Sequence, residues 1–339
     1  KRCENEVLGY TGKPDSYYNA IINWVKQRYD LIVTKEVINF VPGIVPGIGM
    51  AMNCFTQKGD KVMIQPPVYH PFAWVTTRNE RTLVINPLKW ENGMYRMDLD
   101  AFREQIKGCK LFILCNPHNP GGVVWTEAEL RAIADICYDE KVLVFSDEIH
   151  ADLTLPPHTH RPFATVSEKA RMNSVTFMSP SKAFNMPGLS ASHALIFNED
   201  LRKRFRIYMD AGELDMGHVF AFLSVEAAYS HGTEWLDQCL AYIQGNIDFV
   251  DEFLKKHAPK IKAIRPEASY LVWLDCRELE LSQKDLNEFF VDKAHLALND
   301  GEMFGKEGIG FMRLNVASPR CIIEKAMKQL ADAYQLYIK

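Results

Sequence analysis

Three polar clusters in this chain each follow a short apolar run, and their side chains suit amine–carbonyl chemistry. Lys182 sits in Ser179-Pro180-Ser181-Lys182-Ala183-Phe184-Asn185, directly after Val175-Thr176-Phe177-Met178. A lysine where a buried strand gives way to a polar turn is partly desolvated, loses its proton more easily and can form a Schiff base with an aldehyde. A lone lysine at a strand end more often keeps its charge in water, so its companions decide the matter. Lys110-Leu111-Phe112-Ile113-Leu114-Cys115 runs into Asn116-Pro117-His118-Asn119-Pro120-Gly121-Gly122, and Lys141-Val142-Leu143-Val144-Phe145 runs into Ser146-Asp147-Glu148-Ile149-His150.

Continuous apolar runs of this length predict strands covered on both faces. Between the second pair lies Thr126-Glu127-Ala128-Glu129, a capping-box pattern, followed by apolar Leu130, Ile133, Ala134 and Cys137 at one-face helical spacing. Strand, helix, strand is a right-handed βαβ unit with parallel strands. Ligands bind beyond the carboxyl ends of such strands, where Asn119, Asp147 and Lys182 all fall. An amine, a carboxylate and an amide in one place suit a pyridine aldehyde: lysine takes the aldehyde carbon, and aspartate keeps the ring nitrogen protonated. Singly, Asp147 reads as a helix cap and Asn119 as a turn residue; together they define a site.

The chain resembles the fold-type I pyridoxal-phosphate enzymes, the aminotransferase class I/II superfamily, and within it the MalY/PatB-like cystathionine β-lyases. Besides the three clusters, the resemblance rests on Gly9-Tyr10-Thr11-Gly12, Pro66-Pro67-Val68-Tyr69-His70-Pro71-Phe72 and Gly310-Phe311-Met312-Arg313-Leu314-Asn315, in the family's order along nearly the whole chain. It implies an α/β fold, with a mostly parallel central sheet in a large domain and a smaller α/β carboxyl-terminal domain.

The resemblance also implies roles. Lys182 holds the cofactor, pyridoxal 5'-phosphate, and moves the substrate's α-proton. Asp147 pairs with the ring nitrogen, Asn119 bonds the ring's phenolic oxygen, and Tyr69 stacks on the ring. Arg313 grips the substrate carboxylate. The amides of Ile44 and Val45, in the glycine-rich stretch 41–49, and the hydroxyls of Ser179 and Ser181 contact the phosphate. Tyr10 reaches the phosphate of a neighbouring subunit, which implies a twofold homodimer with shared sites. Each has a plainer reading: Tyr69 as a core aromatic, Arg313 and Tyr10 as surface residues.

Departures from aspartate aminotransferase are informative. Ser190 stands eight residues after the lysine, where that enzyme has a phosphate-binding arginine. His150, counted with the cofactor-binding residues, stands where it has tyrosine. No second arginine matches the one that binds a dicarboxylate side chain. The chain opens at Lys1 without methionine, and Tyr10 comes earlier than in relatives, so a leading segment of the family is expected to be missing.

With 339 residues and 47% apolar content, the chain can bury a large core and a smaller one. Its net charge of −4 offers no basic footprint for nucleic acid. No run approaches the roughly 18 apolar residues of a membrane span. Eight scattered cysteines without a C-x-x-C pair argue against a metal site or disulfide framework and fit a reducing cytoplasm. Strands near 37–41, 61–65, 82–85, 111–115, 142–146, 175–178 and 193–197 are expected in the large sheet, and a helix at about 47–57. Long helices at 217–257 join the parts. Strands at 268–274 and 311–316 with helices near 282–295 and 320–337 form the smaller domain, with division at 235/236. The leading functional expectation is a carbon–sulfur β-lyase acting on cystathionine or related S-substituted cysteines. An aminotransferase is the first alternative, and a cofactor-bearing regulatory binding protein the second.

Overall fold

The computed structural model describes residues 2–337. In chain order, the first part of the molecule supplies β1 (Ile38–Val41), β2 (Lys61–Ile64), β3 (Thr82–Ile85), the hairpin β4 (Lys89–Glu91) and β5 (Met94–Arg96), β6 (Cys109–Cys115), β7 (Leu143–Asp147), β8 (Ser174–Met178) and β9 (Ser192–Leu195). Seven of these form one sheet in the spatial order β1-β9-β8-β7-β6-β2-β3. From β8 to β3 every pairing is parallel, while β9 runs antiparallel to both neighbours. All seven strands expected for this sheet form, with ends shifted by no more than two residues.

The apolar runs become strands because helices cover both faces. Every residue of β8 is buried, as are the last four of β7 and the last five of β6. The crossover helix Glu127–Asp139 starts in the expected capping box, with Thr126 Oγ1 accepting from Glu129 N and the Glu129 carboxylate accepting from Thr126 N. It buries Leu130, Ile133, Ala134, Ile136 and Cys137. Register then fixes the site, since Cys115 pairs with Asp147, and Asp147 with Phe177, so three adjacent strands end together.

The second part contains β10 (Lys262–Ile264), β11 (Leu271–Asp275), β12 (Asn299–Asp300) and β13 (Phe311–Asn315), an antiparallel sheet in the order β10-β11-β13-β12. Trp273 on β11 is fully buried and stacks on Phe311 of β13, ring centroids 5.3 Å apart. The expected division at 235/236 falls inside a continuous 25-residue helix, Thr233–His257. That helix buries Leu236, Leu240, Ile243, Ile247, Val250 and Leu254, one apolar stripe at helical spacing. The same apolar cluster takes in Tyr17 and Trp24 from the helix Asp15–Tyr29 and Leu314 and Leu330 from the second part, so the two parts share a core. Among the described residues, no helix is long and apolar enough to cross a membrane, and no group of three His, Cys, Asp or Glu is placed to hold a metal ion.

Candidate active site

A cavity of about 430 Å³ lies where β6, β7 and β8 end, roofed by β13. Each catalytic candidate arrives on a different element. Asn119 comes from the turn after β6, Asp147 from the last position of β7, Lys182 from the loop after β8, and Arg313 from the middle of β13. Of the other expected residues, Ile44, Val45, Tyr69, His150 and Ser181 also lie on its wall.

The floor is a buried carboxylate. Asp147 is 4% exposed, and its Oδ1 accepts one hydrogen bond, from Ile149 N at 3.1 Å. Burial pushes its carboxyl up to about 7, helped by the neighbouring Glu148 charge and opposed by the Lys182 ammonium. His150 is also buried, with Nδ1 unpartnered; burial and the nearby Lys182 and Arg313 cations hold its pKa down to about 3, so the ring is neutral. Burial, and behind it the Asp147 charge, raises the Tyr69 hydroxyl.

The roof is a fixed guanidinium. Arg313 Nη1 donates to Asn119 Oδ1 at 2.9 Å, and Nη2 donates to Asn299 Oδ1 at 2.8 Å. Its Cζ lies over the Phe304 ring, 4.6 Å from the centroid, and Nε is buried without a partner. Burial lowers its pKa to about 10, which still leaves it charged at neutral pH.

One wall is a helix start. The helix Ile44–Phe55 begins three residues earlier than expected, because Gly43 at φ +123° makes the turn into it and Pro46 falls within its first turn, where no N–H is needed. No side chain caps it, and its backbone ladder opens with Gly47 N donating to Gly43 O. The amides of Ile44 and Val45 therefore have no intrahelical partner and sit at the helix's positive end, beside the cavity.

Two expected residues lie elsewhere. Ser179 is not on the cavity wall: its hydroxyl donates to Ala191 O at 2.8 Å and accepts from Ser181 N at 3.1 Å, tying the Lys182 loop to the start of β9. Tyr10 is 98% exposed and lies outside the cavity of its own chain. The cavity also uses residues that the sequence reading missed, among them His70, Cys115, Ser192, Tyr270 and Asn315. His70 and Asn315 adjoin the expected Tyr69 and Arg313 in sequence, and Cys115 ends the strand before Asn119. Ser192 and Tyr270 carry no comparable local signal.

Nearly the whole chain resembles known proteins. The model of the aminotransferase class I and II family matches residues 4–330. The chain is 37% identical to cystathionine beta-lyase PatB of Bacillus subtilis strain 168, over 98% of this chain and 87% of that protein. It is 29% identical to protein MalY of Escherichia coli K12, over 98% and 86% respectively. The crystal structure of cystalysin from Treponema denticola, which contains a pyridoxal 5'-phosphate cofactor, superposes with a TM-score of 0.96 at 34% identity, covering 100% of this chain and 86% of that one. The chain belongs to the aminotransferase class I and II family.

Proposed function

We propose that the chain is a pyridoxal 5'-phosphate-dependent carbon–sulfur β-lyase, splitting cystathionine or another S-substituted L-cysteine, with water, into pyruvate, ammonia and a thiol. The observation that carries it is the convergence of Asn119, Asp147 and Lys182, from three adjacent strand ends, on one cavity beneath Arg313.

The residues present fit this cofactor. A buried carboxylate whose burial penalises its charge is matched by a protonated ring nitrogen, and an uncapped helix start matches a phosphate. Ser181, Ser190 and Ser192 on the same wall offer further donors where aspartate aminotransferase has an arginine. Asn119, with its oxygen committed to Arg313, keeps its N–H₂ for the ring's phenolic oxygen. When bound, the cofactor supplies an electron-accepting ring that stabilises negative charge at the substrate's α-carbon. Arg313 holds the α-carboxylate through its fork, which fixes the α-proton toward Lys182. Lys182 Nζ takes that proton, and the sulfur departs from the β-carbon with the bonding pair. Among the described residues, Arg313 is the only arginine on the wall, and both cavity histidines have depressed pKa values. The distal carboxylate of a dicarboxylic oxo acid therefore has no second guanidinium to meet, which favours the lyase over an aminotransferase.

We propose a cytoplasmic location, a reading that the free buried thiols at Cys109, Cys115, Cys137 and Cys276 support. It acts as a twofold homodimer in which Tyr10, exposed and outside its own cavity, serves the partner's phosphate site. The division into larger and smaller domains runs through the helix Thr233–His257. One experiment tests the reaction. The full-length protein, supplied with the cofactor, is incubated with L-cystathionine, and separately with an L-amino acid plus 2-oxoglutarate. Pyruvate and thiol without an oxo-acid acceptor support the lyase; glutamate alone rejects it.

A further inference from the structure

The residue after Asp147 is turned away from the cavity and fully enclosed. Glu148 is 1% exposed, yet it keeps four polar neighbours. Its Oε1 accepts from Ser146 Oγ and from Phe163 N, both at 2.8 Å, and its Oε2 lies 2.8 Å from His160 Nε2. Its own N–H donates to Phe177 O of β8. His160 is 4% exposed with Nδ1 unpartnered, and its ring lies edge-on to Tyr29 at 5.5 Å. Beyond it, Asp152 accepts from Trp24 Nε1 at 2.9 Å and from the Tyr29 hydroxyl. None of the reaction chemistry derived above uses Glu148 or His160.

A carboxylate enclosed this completely is costly unless its position brings something in return. The packing function alone would be met by an uncharged side chain of the same shape, since two of the three groups on Glu148 only need an acceptor. What an amide would lack is the charge, and that charge sits directly behind the carboxylate on the cavity floor. We infer that Glu148 and His160 form a positioning pair that acts on the cofactor ring through Asp147: the pair clamps the end of β7 to the segment 160–163 and keeps negative charge behind the group that meets the ring nitrogen. The inference rests on the cofactor reading given above.

The electrostatics agree in direction. The Glu148 charge raises the proton affinity of Asp147, while Lys182, facing from the loop after β8, lowers it. Tyr69 and Cys115 feel the Asp147 charge from the other walls, and Asp152 and Tyr29 flank His160. Negative charge behind Asp147 favours every protonated form of the bound cofactor, so its removal makes the cofactor lose its proton at lower pH.

The test is a pH titration of visible absorbance on the cofactor-loaded protein, with three variants. Glu148→Gln preserves shape and both accepted hydrogen bonds but removes the charge; the absorbance midpoint should fall by about half a pH unit or more. Glu148→Asp retains the charge and should leave the midpoint in place, even where its shorter side chain lowers the thermal midpoint. His160→Gln leaves the carboxylate charged and should hold the midpoint or raise it. An unmoved midpoint in Glu148→Gln, or a fall in His160→Gln, overturns the proposal; the second variant decides the matter if the first fails to take up cofactor. A wild-type protein that develops no visible band with pyridoxal 5'-phosphate would instead overturn the cofactor reading itself.

Discussion

Arg313 donates through Nη1 to the side-chain oxygen of Asn119 at 2.9 Å, joining the small sheet to the turn after β6 across the mouth of the cavity. In the proposed reaction, the contact would set the height of the Arg313 fork, offered to the substrate carboxylate, above the Asn119 amide, offered to the ring. With Asn299 holding the other terminal nitrogen, the guanidinium is oriented before substrate arrives. Replacing Arg313 with alanine would remove the proposed charge-assisted pair to the α-carboxylate. KM for cystathionine should rise roughly 10- to 100-fold, with kcat changed less. Arg313→Lys should recover only part of this, because an ammonium cannot reach Asn119, Asn299 and the carboxylate together. Initial rates of pyruvate release across substrate concentrations check both.

Lys182 lies on the wall at the end of the β8 loop, half-buried. Lys182→Ala should lower turnover by at least about 10³-fold, since it removes the group proposed to anchor the cofactor and move the α-proton. The visible absorbance band should vanish in the same variant. Circular dichroism should stay at the wild-type level, and turnover within tenfold of wild type would refute the assigned role.

Asp147 makes stability depend on pH in the cofactor-free protein. Burial raises its carboxyl from an ordinary 3.8 to about 7. The native state therefore keeps a proton that the unfolded chain releases, so this group's contribution is intact below pH 4 and is lost as pH rises through about 7. Asp147→Asn removes that slope. The cofactor-free variant should match wild type near pH 4 and exceed it at pH 8 by roughly 4 kcal/mol at most. With cofactor added, the order should reverse, because only the carboxylate pairs with a protonated ring. Urea unfolding at the two pH values, with and without cofactor, tests the reversal; a cofactor-free variant no more stable than wild type at pH 8 would contradict it.

The parts of this fold that could be read from sequence are those where local pattern and burial coincide. β6, β7 and β8 are covered on both faces, so their apolar runs are continuous and the polar residues that follow mark the cavity. The hairpin β4–β5 went unread although Asn92-Gly93 turns it, both residues having positive φ. β10 and β12 are three and two residues long and exist through pairing with distant partners, Lys262 with Asp275 and Asn299 with Arg313. No local pattern encodes such a register. Ser192 at the start of β9 and Tyr270 just before β11 reach the cavity through tertiary packing, and Glu148 meets His160 twelve positions further along the chain.

Gly122 offers a last test of how the two parts are held together. It closes the Asn119 turn with φ +69°, donating to His118 O at 2.8 Å, while its own carbonyl accepts from Glu267 N and Ala268 N just before β11. A Cβ at this position would stand 2.8 Å from the Cα of Pro266, a backbone atom that cannot turn aside. Gly122→Ala thus combines a strained φ with a wedge between the Asn119 turn and the strand paired to Arg313's own. The variant should lose about 2–4 kcal/mol of stability, read as a lower urea midpoint at unchanged slope. Because the wedge separates Asn119 from Arg313, its KM for cystathionine should also rise. A variant with wild-type KM despite the lost stability would show that the Arg313–Asn119 distance does not depend on this junction.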